Sequence, residues 1–111
     1  MYYYSLRINA TDKQSKIINK ILGIESNYPV FGWGIEIIQN ETDCSLNPID
    51  YFLKVLEGNY DRLKDIGIFR SDISIWILYE YREQCNLEFS PKEMEKIGRE
   101  GITLCISCWE T

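Results

Sequence analysis

The chain has 111 residues, enough for one domain with one core over 1–111 and too few for two. Hydrophobic residues at 45% and aromatics at 14% exclude a disordered tail. The 12 Lys and Arg against 17 Asp and Glu give a net charge of −5, which disfavours nucleic acid, whose phosphates need a basic footprint.

In chain order, Tyr2–Asn9 alternates, with Tyr2, Tyr4, Leu6 and Ile8 on one face and Tyr3, Ser5 and Arg7 on the other; this predicts a first strand. Thr11 and Gln14 have capping-box spacing ahead of a helix whose apolar stripe is Ile17, Ile18, Ile21 and Leu22, with Gly23 as its stop. A second strand is predicted over 31–38, with Phe31, Trp33, Ile35 and Ile37 facing one way and Gly32, Gly34 and Glu36 the other. Glycines within a strand mark a bulge or the close approach of another backbone, and these two would leave a shallow depression. After a polar loop over 39–47, Asn47 caps the main helix with Pro48 at its first position. Ile49, Phe52, Leu53, Leu56, Tyr60, Leu63 and Ile66 predict five amphipathic turns, with Gly67 at the end; Gly58 inside them costs about 1 kcal/mol relative to Ala and marks either a kink or close packing.

Asp72–Tyr81, DISIWILYEY, is the longest run that reads as strand alone. Ile73, Ile75, Ile77, Tyr79 and Tyr81 share one face; Ser74, Trp76, Leu78 and Glu80 share a mixed second face that is expected to stay at least partly open. Arg82–Gln84 turns the chain, and alternation over Cys85, Leu87 and Phe89 predicts a fourth strand in an antiparallel hairpin. Ser90, Pro91 and Glu93 open a short helix with Met94 and Ile97 on its apolar side, stopped by Gly101. Ile102–Trp109 alternates as a last strand.

The predicted fold is α+β, a two-layer α/β sandwich. It has a five-strand, mainly antiparallel sheet with three helices on one face, built as a ferredoxin-like β-α-β-β-α-β core preceded by a β-α unit. The start Met1–Arg7 reads as strand, with neither a basic lead nor an apolar signal core, and no apolar run nears the roughly 20 residues of a membrane helix. A cytoplasmic setting with no membrane partner is expected.

The order of segments, with YYYSLRI, LGI, GW, PIDYFLKVLEGNYDRLKDIG, DISIWI and LEFSPKEMEKIGREGI, resembles the bacterial domain-of-unknown-function 4279 family over nearly the whole chain. The most specific parts are the aromatic-x-x-x-Leu-Arg-Ile start, Trp33, and the L-x-x-S-P-x-x-M-x-x-I-x-x-x-G-I pattern from Leu87 to Ile102. None is a catalytic motif. The resemblance implies an α/β domain in a bacterial cytosol and a tendency toward protein binding, since some members are suspected immunity proteins that neutralise toxins.

Catalytic and metal chemistry find little to work with. The chain lacks histidine, the commonest general base and metal ligand. Of the four cysteines, Cys44 and Cys85 are isolated, and Cys105 and Cys108 point to opposite faces of one strand. Structural, reduced cysteines are expected, with no cofactor and no metal. Arg7, Glu36, Glu80 and Glu88 would form a charged cluster on the second face if their strands are neighbours. Tyr3, Trp76 and Trp109 share that face and are either covered by a neighbouring segment or a second copy, or form a binding surface. The expected function is non-enzymatic protein binding, of immunity-inhibitor type toward a toxin-like partner. The alternatives are a homodimeric scaffold and a small-molecule site between Arg7, Glu36 and Trp76.

Overall fold

The computed structural model describes residues 2–28, 32–40, 47–84 and 86–110. Along the chain these form β1 (Tyr2–Asn9), α1 (Asp12–Leu22), β2 (Gly32–Gln39), α2 (Pro48–Leu56), α3 (Tyr60–Asp65), a 3-10 turn (Arg70–Asp72), β3 (Ile73–Tyr81), α4 (Pro91–Glu100) and β4 (Thr103–Glu110). The described strands make one mixed four-stranded sheet in the order β2-β1-β3-β4. β1 runs antiparallel to both β2 and β3, and β4 runs parallel to β3. Four helices are described in place of three.

Alternation in the sequence sets the two faces. Leu6 stands opposite Ile35 on one side and Ile75 on the other, and Ile8 opposite Trp33 and Ile73. These residues share one buried cluster with Ile18 of α1, with Ile49, Phe52 and Leu56 of α2, and with Leu63 of α3. The helices therefore all lie on the first face. At its far end Tyr2 stacks on Tyr79 with ring centroids 4.4 Å apart, closing the apolar layer with aromatic rings.

The helix ends follow their caps. Thr11 and Gln14 form a full capping box, as do Ser90 and Glu93, and the Asn47 side chain accepts from the Asp50 N–H. Gly23 and Gly101 end α1 and α4 in the left-handed conformation.

Three expectations are corrected. The main helix is two helices, because Gly58 takes φ +77° and breaks the backbone between Leu56 and Tyr60. The two halves keep one apolar stripe, with Leu53, Leu56 and Leu63 all buried. The strand expected over 85–89 is absent among the described residues. Asn86–Ser90 is irregular, and Phe89 packs against the core instead of pairing with β3. The chain thus crosses the helical layer through α4 and returns parallel, as a parallel neighbour requires. With no hairpin there, the ferredoxin-like core is replaced by β-α-β-α-α-β-α-β. Finally, Met94 lies 56% exposed, leaving Ile97 as the buried apolar contact of α4. The start of the second strand at Phe31, most of the 39–47 loop and Cys44 and Cys85 fall outside the described residues.

The helix break has a test of sign. A Cβ at Gly58 would meet nothing within 4 Å, so only the backbone angle resists substitution. Gly58→Ala is expected to destabilise by roughly 1–2 kcal/mol, the cost of a left-handed Ala. A continuous helix would instead gain about 1 kcal/mol. Urea unfolding of the two proteins reads the sign directly.

Candidate functional site

No side chain of the second sheet face belongs to the helical core cluster. Register places its residues in rows across the strands. Gly34, Arg7, Ser74 and Thr103 form one row; Glu36, Ser5, Trp76 and Cys105 the next; Ile38, Tyr3, Leu78 and Ser107 the third. Glu80 and Trp109 stand opposite each other beyond them.

Arg7 and Trp76 organise the middle of this face. The Arg7 guanidinium carbon sits 4.3 Å from the Trp76 ring centroid and 5.4 Å from that of Tyr28. A cation held between two aromatic faces is worth about 0.5–1 kcal/mol where exposed and about 2 where water is excluded. Arg7 Nε donates to Ser5 Oγ at 3.1 Å, and Trp76 Nε1 donates to Ser74 Oγ at 2.9 Å. Ser5 is fully buried beneath them, so its hydroxyl needs the partner that Arg7 supplies.

Tyr28 arrives by way of the strand glycine Gly34. Gly34 O accepts from the N–H groups of Asn27 and Tyr28, both at 3.0 Å, and Gly34 N–H donates to Ser26 Oγ at 3.0 Å. Glu36 N–H donates to Asn27 Oδ1 at 2.8 Å. A Cβ at Gly34 would stand 2.3 Å from the Tyr28 carbonyl oxygen. The expected depression is therefore filled by the 26–28 backbone, for which the glycine leaves room. Asn19 anchors the turn: its Oδ1 accepts from Ser26 N–H at 3.1 Å and from the buried Trp33 Nε1 at 2.7 Å.

The other end of the face stays open. Tyr3 and Trp109 approach with ring centroids 6.4 Å apart, reaching toward each other across β3. Ile38 is 57% and Trp109 39% exposed. Trp76, Tyr3, Leu78 and Glu80 are half-buried. Tyr3, Arg7, Trp76 and Trp109 thus share one surface, as the alternation predicts.

The three carboxylates of the expected charged cluster do not come together. Glu36 on β2 and Glu80 on β3 are separated by β1, so strand spacing alone keeps them about 10 Å or more apart. Glu88 leaves this face altogether. It lies in the irregular connection before α4 and lines a cavity of about 380 Å³ with Tyr2, Tyr4, Ile77, Phe89 and Glu93 on the helical side. Its displacement follows from the missing hairpin. Cys105 stands opposite Trp76 and Cys108 opposite Tyr79, on opposite faces as expected. Among the described residues no group of three or more Cys, Asp or Glu is placed to hold a metal ion.

Two features escape sequence reasoning. Tyr28 as the second ring around Arg7 is one; its signal is Gly34, a glycine within a strand, which announces an approaching backbone. The other is a cluster on the helical side. The Arg70 guanidinium lies 3.7 Å over the Tyr60 ring, donates to the Glu100 carbonyl and sits 3.6 Å from the Glu100 carboxylate. No local pattern links residues this far apart in the chain.

No protein-family model matches the chain, and no curated protein or solved structure matches it. These comparisons give the resemblance to the domain-of-unknown-function 4279 family no support.

The Tyr60 cluster makes a pH prediction. Burial, and after it the Glu100 carboxylate, push the Tyr60 phenol well above its ordinary value of 10.0, while Arg70 pulls the other way. Above pH 10.0 the unfolded chain releases this proton and the folded one keeps it. The stability associated with it is then complete below pH 10.0 and falls as the pH rises further. Denaturation midpoints across alkaline pH should drop less steeply in Tyr60→Phe than in the wild type.

Proposed function

We propose that the chain is a non-enzymatic protein-binding domain that docks a partner on its open sheet face, as an immunity-type inhibitor covers a bacterial toxin. The observation that carries this reading is the composition of a sheet face on which no helix packs among the described residues. Arg7 stacked on Trp76 and Tyr3 against Trp109 gather the residue types that dominate binding hot spots, with Ile38 and Leu78 between and beside them. Arg7 and Trp76 are held by hydrogen bonds to Ser5 and Ser74, so little side-chain freedom would be lost on docking.

Charge supports a basic partner. The net charge is −5, and Glu36 and Glu80 flank the aromatic residues. Opposite potentials would speed encounter and the aromatic centre would then hold the complex. The separation of Glu36 from Glu80 speaks for binding over acid–base chemistry. The bacterial and cytoplasmic setting belongs to this proposal through the family resemblance.

The reading is tested with the protein as bait against a lysate of its source cells, followed by titration of whatever single partner is retained. Trp76→Glu buries no charge in the core, because Trp76 lies on the half-exposed face; circular dichroism checks that the fold is kept. The expected outcome is a defined partner bound by the wild type and weakened about 30-fold or more by Trp76→Glu, the scale of one hot-spot residue. Equal affinity of the two proteins for that partner would remove the open face as the site.

A further inference from the structure

On the helical side of the molecule, α3 and the 3-10 turn that follows it line a cavity of about 450 Å³, within the range of small-molecule sites. Two of its apolar residues differ in depth: Ile68 is 2% exposed, and Phe69 is 53% exposed with its ring in water. Lys64, Arg70 and Asp61 bring the charge. They are two cations and one anion, in a chain whose net charge is −5. The 3-10 turn presents Phe69 and Arg70 together, and the Phe69 N–H donates to Asp72 Oδ2 at 2.9 Å.

Arg70 is positioned before any ligand arrives. Its guanidinium lies on the Tyr60 ring, and Nη1 makes both contacts with Glu100, to the carbonyl and to the carboxylate. Among the described residues Nε and Nη2 make no hydrogen bond or ion pair. That edge of a guanidinium carries two parallel N–H groups, spaced for the two oxygens of a carboxylate. The side chain is 46% exposed. Lys64 is exposed too, and its ammonium makes no hydrogen bond or ion pair among the described residues.

We propose that this cavity binds a small organic anion, a carboxylate carried on an aromatic ring. The carboxylate takes the unspent edge of Arg70 with Lys64 beside it, and the ring covers Phe69 and Ile68. Inorganic phosphate would match the charge but leave the apolar lining in water. A neutral ring would cover that lining but leave the guanidinium edge without a partner. Asp61 opposes the anion and is outnumbered by the two cations. Glu100 holds Arg70 through Nη1, so it orients the fork without occupying the free edge. With the fork held on the Tyr60 ring, little side-chain freedom is lost on binding.

The cavity lies on the helical side, away from the open sheet face, so this proposal stands or falls apart from the proposed protein partner. Amide proton–nitrogen correlation spectra of the full chain, titrated with naphthoate, test it. Saturable shifts are expected at the amides of Lys64, Phe69, Arg70 and Ser71, with a Kd of about 1 mM or tighter. Naphthylmethanol, the neutral isostere, and inorganic phosphate should each bind about tenfold more weakly. Arg70→Lys keeps the charge and loses the fork, and should weaken naphthoate about tenfold. Lys64→Gln should weaken it about threefold, and it alters an exposed side chain that the fold does not use, so it tests the site even if Arg70→Lys disturbs the Tyr60 cluster. Absence of saturable shifts, shifts centred elsewhere, equal binding of naphthylmethanol or phosphate, or unchanged affinity in either folded variant would overturn the proposal.

Discussion

Strand β1 has a hydrogen-bonded neighbour on each edge, and that double pairing is the constraint on which the molecule depends. Side chains alternate across a strand, so once both registers are set every residue of β2 and β3 is assigned to a face. Leu6 and Ile8 then lie within the helical layer, both fully buried. The same arithmetic puts Ser5 and Arg7 on the other side. Ser5 is small enough to disappear between its neighbours, and its hydroxyl is satisfied by Arg7. Slipping the register by one residue would bury a guanidinium in the helical core, which no partner there could offset.

The two edge strands differ in what each is attached to. β2 is entered from a turn that Asn19 ties to α1 and to Trp33, and the same turn folds over the strand's outer edge. Helix anchoring, edge protection and the delivery of Tyr28 to Arg7 are thus one piece of structure. β4 is entered from α4, which runs across the helical face, and among the described residues no further strand pairs with its outer side. The helical layer does not cover the whole length of β4, which is why Ile106 is exposed on the face that elsewhere forms the core.

Much of this was legible in the chain. Strands with strict alternation, such as Tyr2–Asn9 and Ile73–Tyr81, declare both their existence and their faces, and capping residues at Thr11, Asn47 and Ser90 mark where helices begin. That places Tyr3, Arg7, Trp76 and Trp109 together before any coordinates. What misled was a short alternating segment. Cys85, Leu87 and Phe89 have the period of a strand, but three apolar residues cannot say whether they pair with a strand or pack beneath helices. Phe89 does the latter, and Glu88 goes with it. Gly58 flags a kink by its residue type, but an apolar stripe survives a break when the two halves resume in phase, so periodicity cannot see the left-handed angle between them. The parallel return of β4, and the closeness of Arg70 to Tyr60, are long-range facts without a local signature.

The central claim is that the sheet has one closed face and one open face, and the three tryptophans sample both. Trp33 is 1% exposed within the core and Trp109 is 39% exposed on the open side, with Trp76 between them. Solvent paramagnetic relaxation of the three indole N–H signals by a neutral soluble relaxation agent measures this in one spectrum. The account predicts strong broadening of Trp109, intermediate broadening of Trp76 and almost none for Trp33. Equal shielding of all three would mean that the second face is covered, and would contradict the account.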